Sequence, residues 1–112
     1  MNIHEYQAKQ LFRDFAIPVP RGAVAESAQQ AMHAAESIAA ASWVIKAQIH
    51  AGARGKAGGV KVADSFEQVK NIAHEMLGTQ LVTHQTDRAG LPVNSVLVEE
   101  VSAIKDEFYL SL

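Results

Sequence analysis

The sequence predicts a mixed α/β (α+β) fold that is incomplete within its 112 residues. Three observations predict it. Helix-type and β-type segments alternate along the chain, which implies layered helices and sheet. Two β-type runs, one at Trp43-Val44-Ile45 and one opening at Val60, flank a loop that carries Gly52, Gly55, Gly58 and Gly59 interleaved with Arg54 and Lys56. At the end, residues 107–112 alternate Phe108, Leu110 and Leu112 with Tyr109 and Ser111, a strand pattern with no following turn or partner. The expectation is therefore the front part of a larger protein.

Each element follows from local pattern. Ile3, Tyr6, Leu11, Phe12 and Phe15 lie at roughly helical spacing over residues 3–15, with Asn2 available as a cap. Pro18 and Pro20 forbid further helix and favour an extended chain. Residues 22–25 suit a short strand. Ser27 with Gln30 makes a capping-box pattern ahead of an alanine-rich helix running to about Ala40. Residues 44–49 read as a mostly apolar strand that enters the glycine loop. Asp64 with Glu67 suggests a second capping box; Phe66, Val69, Ile72, Ala73, Met76 and Leu77 form one apolar stripe, and Gly78 stops the helix. Residues 81–83 predict a strand, 87–92 a turn-rich connection, and 95–101 another apolar strand.

Composition narrows the function. Apolar residues make up 48% and charged residues 20%, an ordinary globular balance with a modest core. A net charge of -2 argues against a general nucleic-acid binder. No aromatic residue flanks Arg54-Gly55-Lys56, so a base-stacking platform is absent there. The lack of cysteine excludes disulfides, a thiol nucleophile and thiolate metal sites. No apolar run reaches membrane-spanning length, and MNIHEYQAKQLF lacks the features of a secretory signal. The expected location is cytoplasmic, with neither membrane nor nucleic acid as partner.

The glycine loop carries the chemistry. No acidic residue lies between Glu36 and Asp64, so Lys46, Arg54, Lys56 and Lys61 stand without a local carboxylate. Glycines let backbone approach an anion, and the cations neutralise it. This points to a phosphate-bearing ligand; the competing reading is a solvated surface hairpin. The loop is not a P-loop, because Ala57 follows Lys56 and His50 stands where the first motif glycine belongs. Nor does its glycine spacing fit the dinucleotide fingerprint. Lys46 interrupts an apolar strand and either snorkels to solvent or reaches a bound anion. Glu99-Glu100 and Asp106-Glu107 flank a short connection at residues 101–105. A carboxylate there suits ribose hydroxyls and exposed amides suit a base edge, against the plainer reading of a solvated strand end. His4, His33, His50, His74 and His84 show no metal-ligand spacing, and no serine stands in a nucleophile elbow.

Four stretches together resemble the β-subunit family of succinyl-CoA synthetase: MNIHEYQAKQLF, VIKAQIHAGARGKAGGVK, LVTHQT before a proline-bearing turn, and VEE…DEFYL. The resemblance runs in register over the whole chain, which matches only the beginning of that longer subunit. It implies the N-terminal part of an ATP-grasp fold over residues 1–112. Within it, 1–20 would be a helix and linker, 21–98 the lysine and glycine-hairpin subdomain, and 99–112 the start of a second subdomain. Lys46 and the Ala53-Arg54-Gly55 turn would contact phosphates, Glu99 and the backbone near Ser102 would line the adenine pocket, and Glu107 would bind ribose. The implied ligands are ATP or ADP with Mg2+, whose ligands lie beyond residue 112, and CoA as co-substrate. The implied partner is an α subunit carrying a phosphohistidine, and the implied reaction is succinyl-CoA/succinate interconversion in the citric acid cycle.

No catalytic or metal-ligating residue is expected in this part, which should be inactive alone. Ala53 gives GARGK where most members have GGRGK, and the GARGKAGG form also resembles malate–CoA ligase β subunits. Pro20 stands where the family favours adenine over guanine nucleotides. A non-catalytic ATP-grasp binding module is the alternative from another class. An exposed sheet edge at 107–112 further predicts self-association of the chain.

Overall fold

The computed structural model describes residues 4–16, 21–49, 58–81 and 90–101. In chain order the elements are α1 (Glu5–Asp14), β1 (Gly22–Ala25), α2 (Ala28–Ser37), β2 (Trp43–Ala47), β3 (Val60–Ala63), α3 (Phe66–Met76), β4 (Gln80–Leu81), β5 (Leu91–Pro92) and β6 (Val96–Glu100). The main sheet has the order β1-β6-β2-β3, and every neighbouring pair is antiparallel. β1 and β2, joined through α2, are separated by β6, so the connection is a split β-α-β unit. This is the α+β form of the mixed architecture. β4 and β5 form a separate antiparallel ladder, so the turn-rich connection expected at 87–92 includes a short strand at Leu91–Pro92.

Alternation along the strands sets the layers. On β2, Trp43, Ile45 and Ala47 are buried while Val44 and Lys46 are only half-buried. The buried set faces α2 and α3: α2 packs on β1 and β6, α3 on β2 and β3, and the helices pack on each other. Ala31, Ala34 and Ala35 of α2 and Val69, Ala73 and Met76 of α3 join Ile45, Val96 and Val98 in one core. Alanine leaves little side chain between the helices, so they can lie close without leaving voids. The Trp43 ring packs on Phe66, and its Nε1–H donates to the Ile38 carbonyl at 3.1 Å, which satisfies the buried polar edge.

Both core helices open with the same device. The Ser27 hydroxyl accepts from the Gln30 N–H at 3.1 Å, and the Gln30 amide oxygen accepts from the Glu26 N–H at 2.9 Å. In α3 the pair is Ser65 and Gln68, at 3.2 Å, with Gln68 reaching back to the Asp64 N–H at 2.7 Å. The expected Asp64–Glu67 box is thus displaced by one residue. A serine hydroxyl reaches the third helical N–H without bringing a charge, and a glutamine is long enough to span back past the cap. α2 stops at Ser37 rather than near Ala40. Gly78 follows α3 with φ +83°, a backbone conformation open to glycine, and no neighbour would obstruct a Cβ there.

α1 departs most from expectation. Its cap is His4, whose N–H donates to the Gln7 side chain at 2.8 Å. The apolar stripe does not reach a core: Leu11, Phe12 and Phe15 are exposed, and α1 has no buried residue. Polar contacts hold it instead. The Tyr6 N–H, left unpaired by the first helical turn, donates to the Gln48 amide oxygen at 3.1 Å. Gln48 is itself buried and also donates to the Lys46 carbonyl at 3.1 Å.

Arg21 closes the far end of the sheet. Its Nε and an Nη donate to Glu100 at 3.0 and 2.8 Å, its N–H donates to the same carboxylate, and the guanidinium also reaches the Ala39 carbonyl. Hydrogen bonds from the Arg21 side chain and backbone hold the Glu100 carboxyl below the usual carboxylate range. A depressed folded-state pKa contributes stability above the unfolded-state value, and that stability is lost as pH falls through the folded-state value. Urea midpoints measured between about pH 6 and about pH 3 should therefore drop less steeply in Glu100→Gln than in the parent chain. Parallel curves would show that the pair carries no linkage.

The prolyl segment expected to be extended, the expected glycine loop at 50–57, the residues at 82–89 and the alternating run at 107–112 lie outside the described residues. Among the described residues no helix is long and apolar enough to cross a membrane.

Candidate nucleotide-phosphate site

The face of the sheet away from α2 and α3 carries the candidate site. Register places Gly22 opposite Glu99, Val44 opposite Glu99, and Lys46 opposite both Leu97 and Val60. Lys46 is therefore in the last β2–β3 pair before the glycine loop. Just beyond it, the Ala47 N–H donates to the Gly59 carbonyl at 2.7 Å and closes the hairpin root. Lys46 therefore stands at the root of the β2–β3 hairpin, in the strand setting that the sequence pattern implied.

The lysine is not surrounded by cations alone. Lys46 Nζ lies 2.8 Å from Glu99 Oε1 and 2.9 Å from Glu5 Oε1. Lys9 pairs with Glu5 at 3.0 Å and with Glu99 Oε2. The expectation of a field without carboxylates holds along the chain and fails in space, because α1 and β6 deliver two acids from distant sequence. Burial pushes the Lys46 ammonium down, but its hydrogen bonds to Glu99 and Glu5 outweigh that and hold its pKa above the ordinary lysine value. Lys46 therefore stays cationic, and its contribution to stability is lost only as pH rises through that raised value.

Glu99 corrects the plainer reading of the acidic cluster. Its side chain is 1% exposed, so it is not a solvated strand end. Glu100, the next residue, points to the opposite face and pairs with Arg21. Alternation alone separates their fates. Gly22 makes room for Glu99: a Cβ on Gly22 would stand 2.9 Å from Glu99 Cγ and 3.1 Å from the Val98 carbonyl. Gly22→Ala should therefore lower unfolding free energy by about 1–3 kcal/mol, as overpacking does. An unchanged urea midpoint would show that β1 and β6 can part without cost.

Beside this network lies a cavity of about 420 Å³ between Tyr6, Gln10 and Arg13 of α1 and Gly22, Val24 and Leu97 of the sheet. Of the residues singled out from sequence, the structure brings Lys46 and Glu99 together. Ala53, Arg54, Gly55, Ser102 and Glu107 lie outside the described residues. Sequence reasoning missed Glu5, Lys9, Gly22 and Gln48. Glu5 and Lys9 stand four apart, a pattern that ordinarily marks a solvated helix pair, and nothing local aims them at a strand.

Comparison with known proteins decides the family. The model of the ATP-grasp domain matches residues 2–112. The chain belongs to the ATP-grasp family. Its sequence relatives include proteins named succinate–CoA ligase [ADP-forming] subunit beta from Nautilia profundicola and Cupriavidus taiwanensis, each 56% identical over all 112 residues. A relative of the same name from a Sulfurovum species is 52% identical over the same length. The chain spans 29% of the length of each of these relatives.

Among solved structures, phosphoribosylamine–glycine ligase from Thermotoga maritima superposes with a TM-score of 0.65 at 25% identity, covering 89% of this chain and 22% of that one. Among the described residues, the sheet face that carries Lys46 keeps exposed apolar side chains. Val62 on that face is 61% exposed and Val24 41%. Among the described residues no three His, Cys, Asp or Glu side chains converge to hold a metal ion.

Proposed function

We propose that this chain is the phosphate-gripping front part of the β subunit of an ADP-forming succinate–CoA ligase. The observation that carries the reading is Lys46: a partly buried, cationic lysine in the last ladder pair before a glycine-rich, cation-bearing loop. Its partners are the carboxylates of Glu99 and Glu5, which it shares with Lys9, so its ammonium already donates to anionic oxygens. A nucleotide phosphate likewise offers anionic oxygens that accept charge-assisted hydrogen bonds from an ammonium. Family membership and the names of the relatives support a nucleotide ligand and a ligase activity for the complete protein.

In this reading Lys46 and the Ala53-Arg54-Gly55 turn hold the phosphates, Glu99 and the backbone near Ser102 border the adenine, and Glu107 takes the ribose. The nucleotide supplies the transferable phosphoryl group. The chain's own residues bind and orient it, because phosphoryl transfer depends chiefly on positioning and charge stabilisation. Mg2+ ligands, the CoA site and the phosphohistidine-bearing α subunit belong to the complete cytoplasmic enzyme, which works in the citric acid cycle. The division of the chain into 1–20, 21–98 and 99–112 follows the same scheme.

Titration with ATP, followed by backbone amide shifts, tests the assignment. Perturbations should centre on Lys46, its strand neighbours and residues 52–56. Lys46→Ala should weaken ATP binding by roughly tenfold to a hundredfold, the size of one or two charge-assisted contacts. Shifts confined to the α2–α3 side, with affinity unchanged, would refute the site. Ala53 in GARGKAGG favours malate as a second candidate acid. Thioester formation by the complete enzyme with each acid separates the two, and no reaction with either supports the non-catalytic module.

A further inference from the structure

The contacts around Lys46 are shared in a closed ring. Lys46 bonds Glu99 and Glu5, and Lys9 bonds the same two carboxylates. Two ammonium groups thus alternate with two carboxylates. A nucleotide phosphate that takes Lys46 must compete with both acids, and the two acids differ. Glu99 is 1% exposed, whereas the Glu5 side chain is 21% exposed and can turn to water. Stripping the cation from a buried carboxylate leaves it desolvated and unpaired, which is strongly unfavourable.

Lys9 changes that balance. It meets Glu99 at Oε2, the oxygen that Lys46 does not use. When Lys46 turns away, the buried carboxylate keeps a cation from α1. Glu5 acts the other way, because it adds a second acceptor that retains Lys46 on the protein. We propose that Glu5 and Lys9 of α1 are positioning residues that tune nucleotide affinity in opposite directions, Lys9 releasing Lys46 from Glu99 and Glu5 holding it back. The inference rests on the reading of Lys46 as a phosphate contact and goes beyond it by giving α1 a part in the site.

The test is ATP affinity by calorimetric titration of the protein, with thermal midpoints recorded for every variant. Lys9→Met should weaken ATP binding by roughly tenfold, and Lys9→Arg should restore it. Glu5→Gln should tighten binding by about threefold, a smaller effect because that carboxylate is partly solvated. Both neutral variants break the ring and should lower the thermal midpoint, so a merely structural role would weaken binding in both. Opposite signs support the proposal. In a Glu99→Gln background, Lys9→Met should lose most of its effect, because no buried charge remains to be held.

Changes in the same direction, or none in either variant while Lys46→Ala still weakens ATP binding, overturn the proposal and leave the phosphate site standing. If Lys46→Ala leaves ATP affinity unchanged, the site and this inference fall together.

Discussion

Glu99→Ala should lower the unfolding free energy by about 3 kcal/mol, near the bottom of the range for breaking a buried ion pair. The carboxylate is 1% exposed and balances two lysines. Its removal leaves Lys9 and Lys46 close together with only Glu5 between them. Both lysine side chains keep some access to water, at 16% and 22%, which limits the loss. The corresponding shift in thermal midpoint is about 10 °C or more for a domain of this size. Lys46→Met should cost less than Glu99→Ala, because Glu99 keeps Lys9 and no buried charge is orphaned. Chemical denaturation of the two variants checks the order, and a larger loss in Lys46→Met would show that the lysine rather than the acid is the expensive partner.

Ile45→Ala should cost about 3–4 kcal/mol, the usual penalty for emptying a fully buried aliphatic site. Ile45 is completely buried at the centre of the sheet, with β6 on one side, β3 on the other and the helices above. Close packing around it leaves little room for collapse, so a cavity remains. Ile45→Val should cost about 1 kcal/mol. Val62→Ala on the same hairpin should stay within about 0.5 kcal/mol, since Val62 is 61% exposed on an edge strand. Equal costs for Ile45→Ala and Val62→Ala would mean that the second face is covered under the conditions of measurement.

The contrast between those two residues shows what local pattern can carry. Period-2 alternation places Ile45 on one face and Val44 and Lys46 on the other, and capping serines with an apolar stripe place α2 and α3. Errors at their ends are small and local: Ser65 rather than Asp64 caps α3, and its hydroxyl accepts from the Gln68 N–H, so the whole capping box sits one residue later. α1 is different. Its stripe of Leu11, Phe12 and Phe15 has the spacing of a core helix, yet the helix is held by Gln48, Lys46 and Glu99. Periodicity reports that a helix has an apolar side but not what that side meets.

By itself the sequence determined the alternation of helices and strands, the strand–loop–strand setting of the glycine hairpin, the position of Lys46 at its root and the family resemblance. These depend on residues close in the chain, where backbone geometry and spacing suffice. Tertiary structure alone decided the sheet order, the burial of Glu99 and the ring that joins it to Glu5, Lys9 and Lys46. Those charges meet from three separate elements, and Coulomb attraction acts through space with no signature in sequence spacing. Gly22 is the clearest case: an unremarkable glycine at a strand start, required because the Glu99 side chain occupies the space where its Cβ would stand.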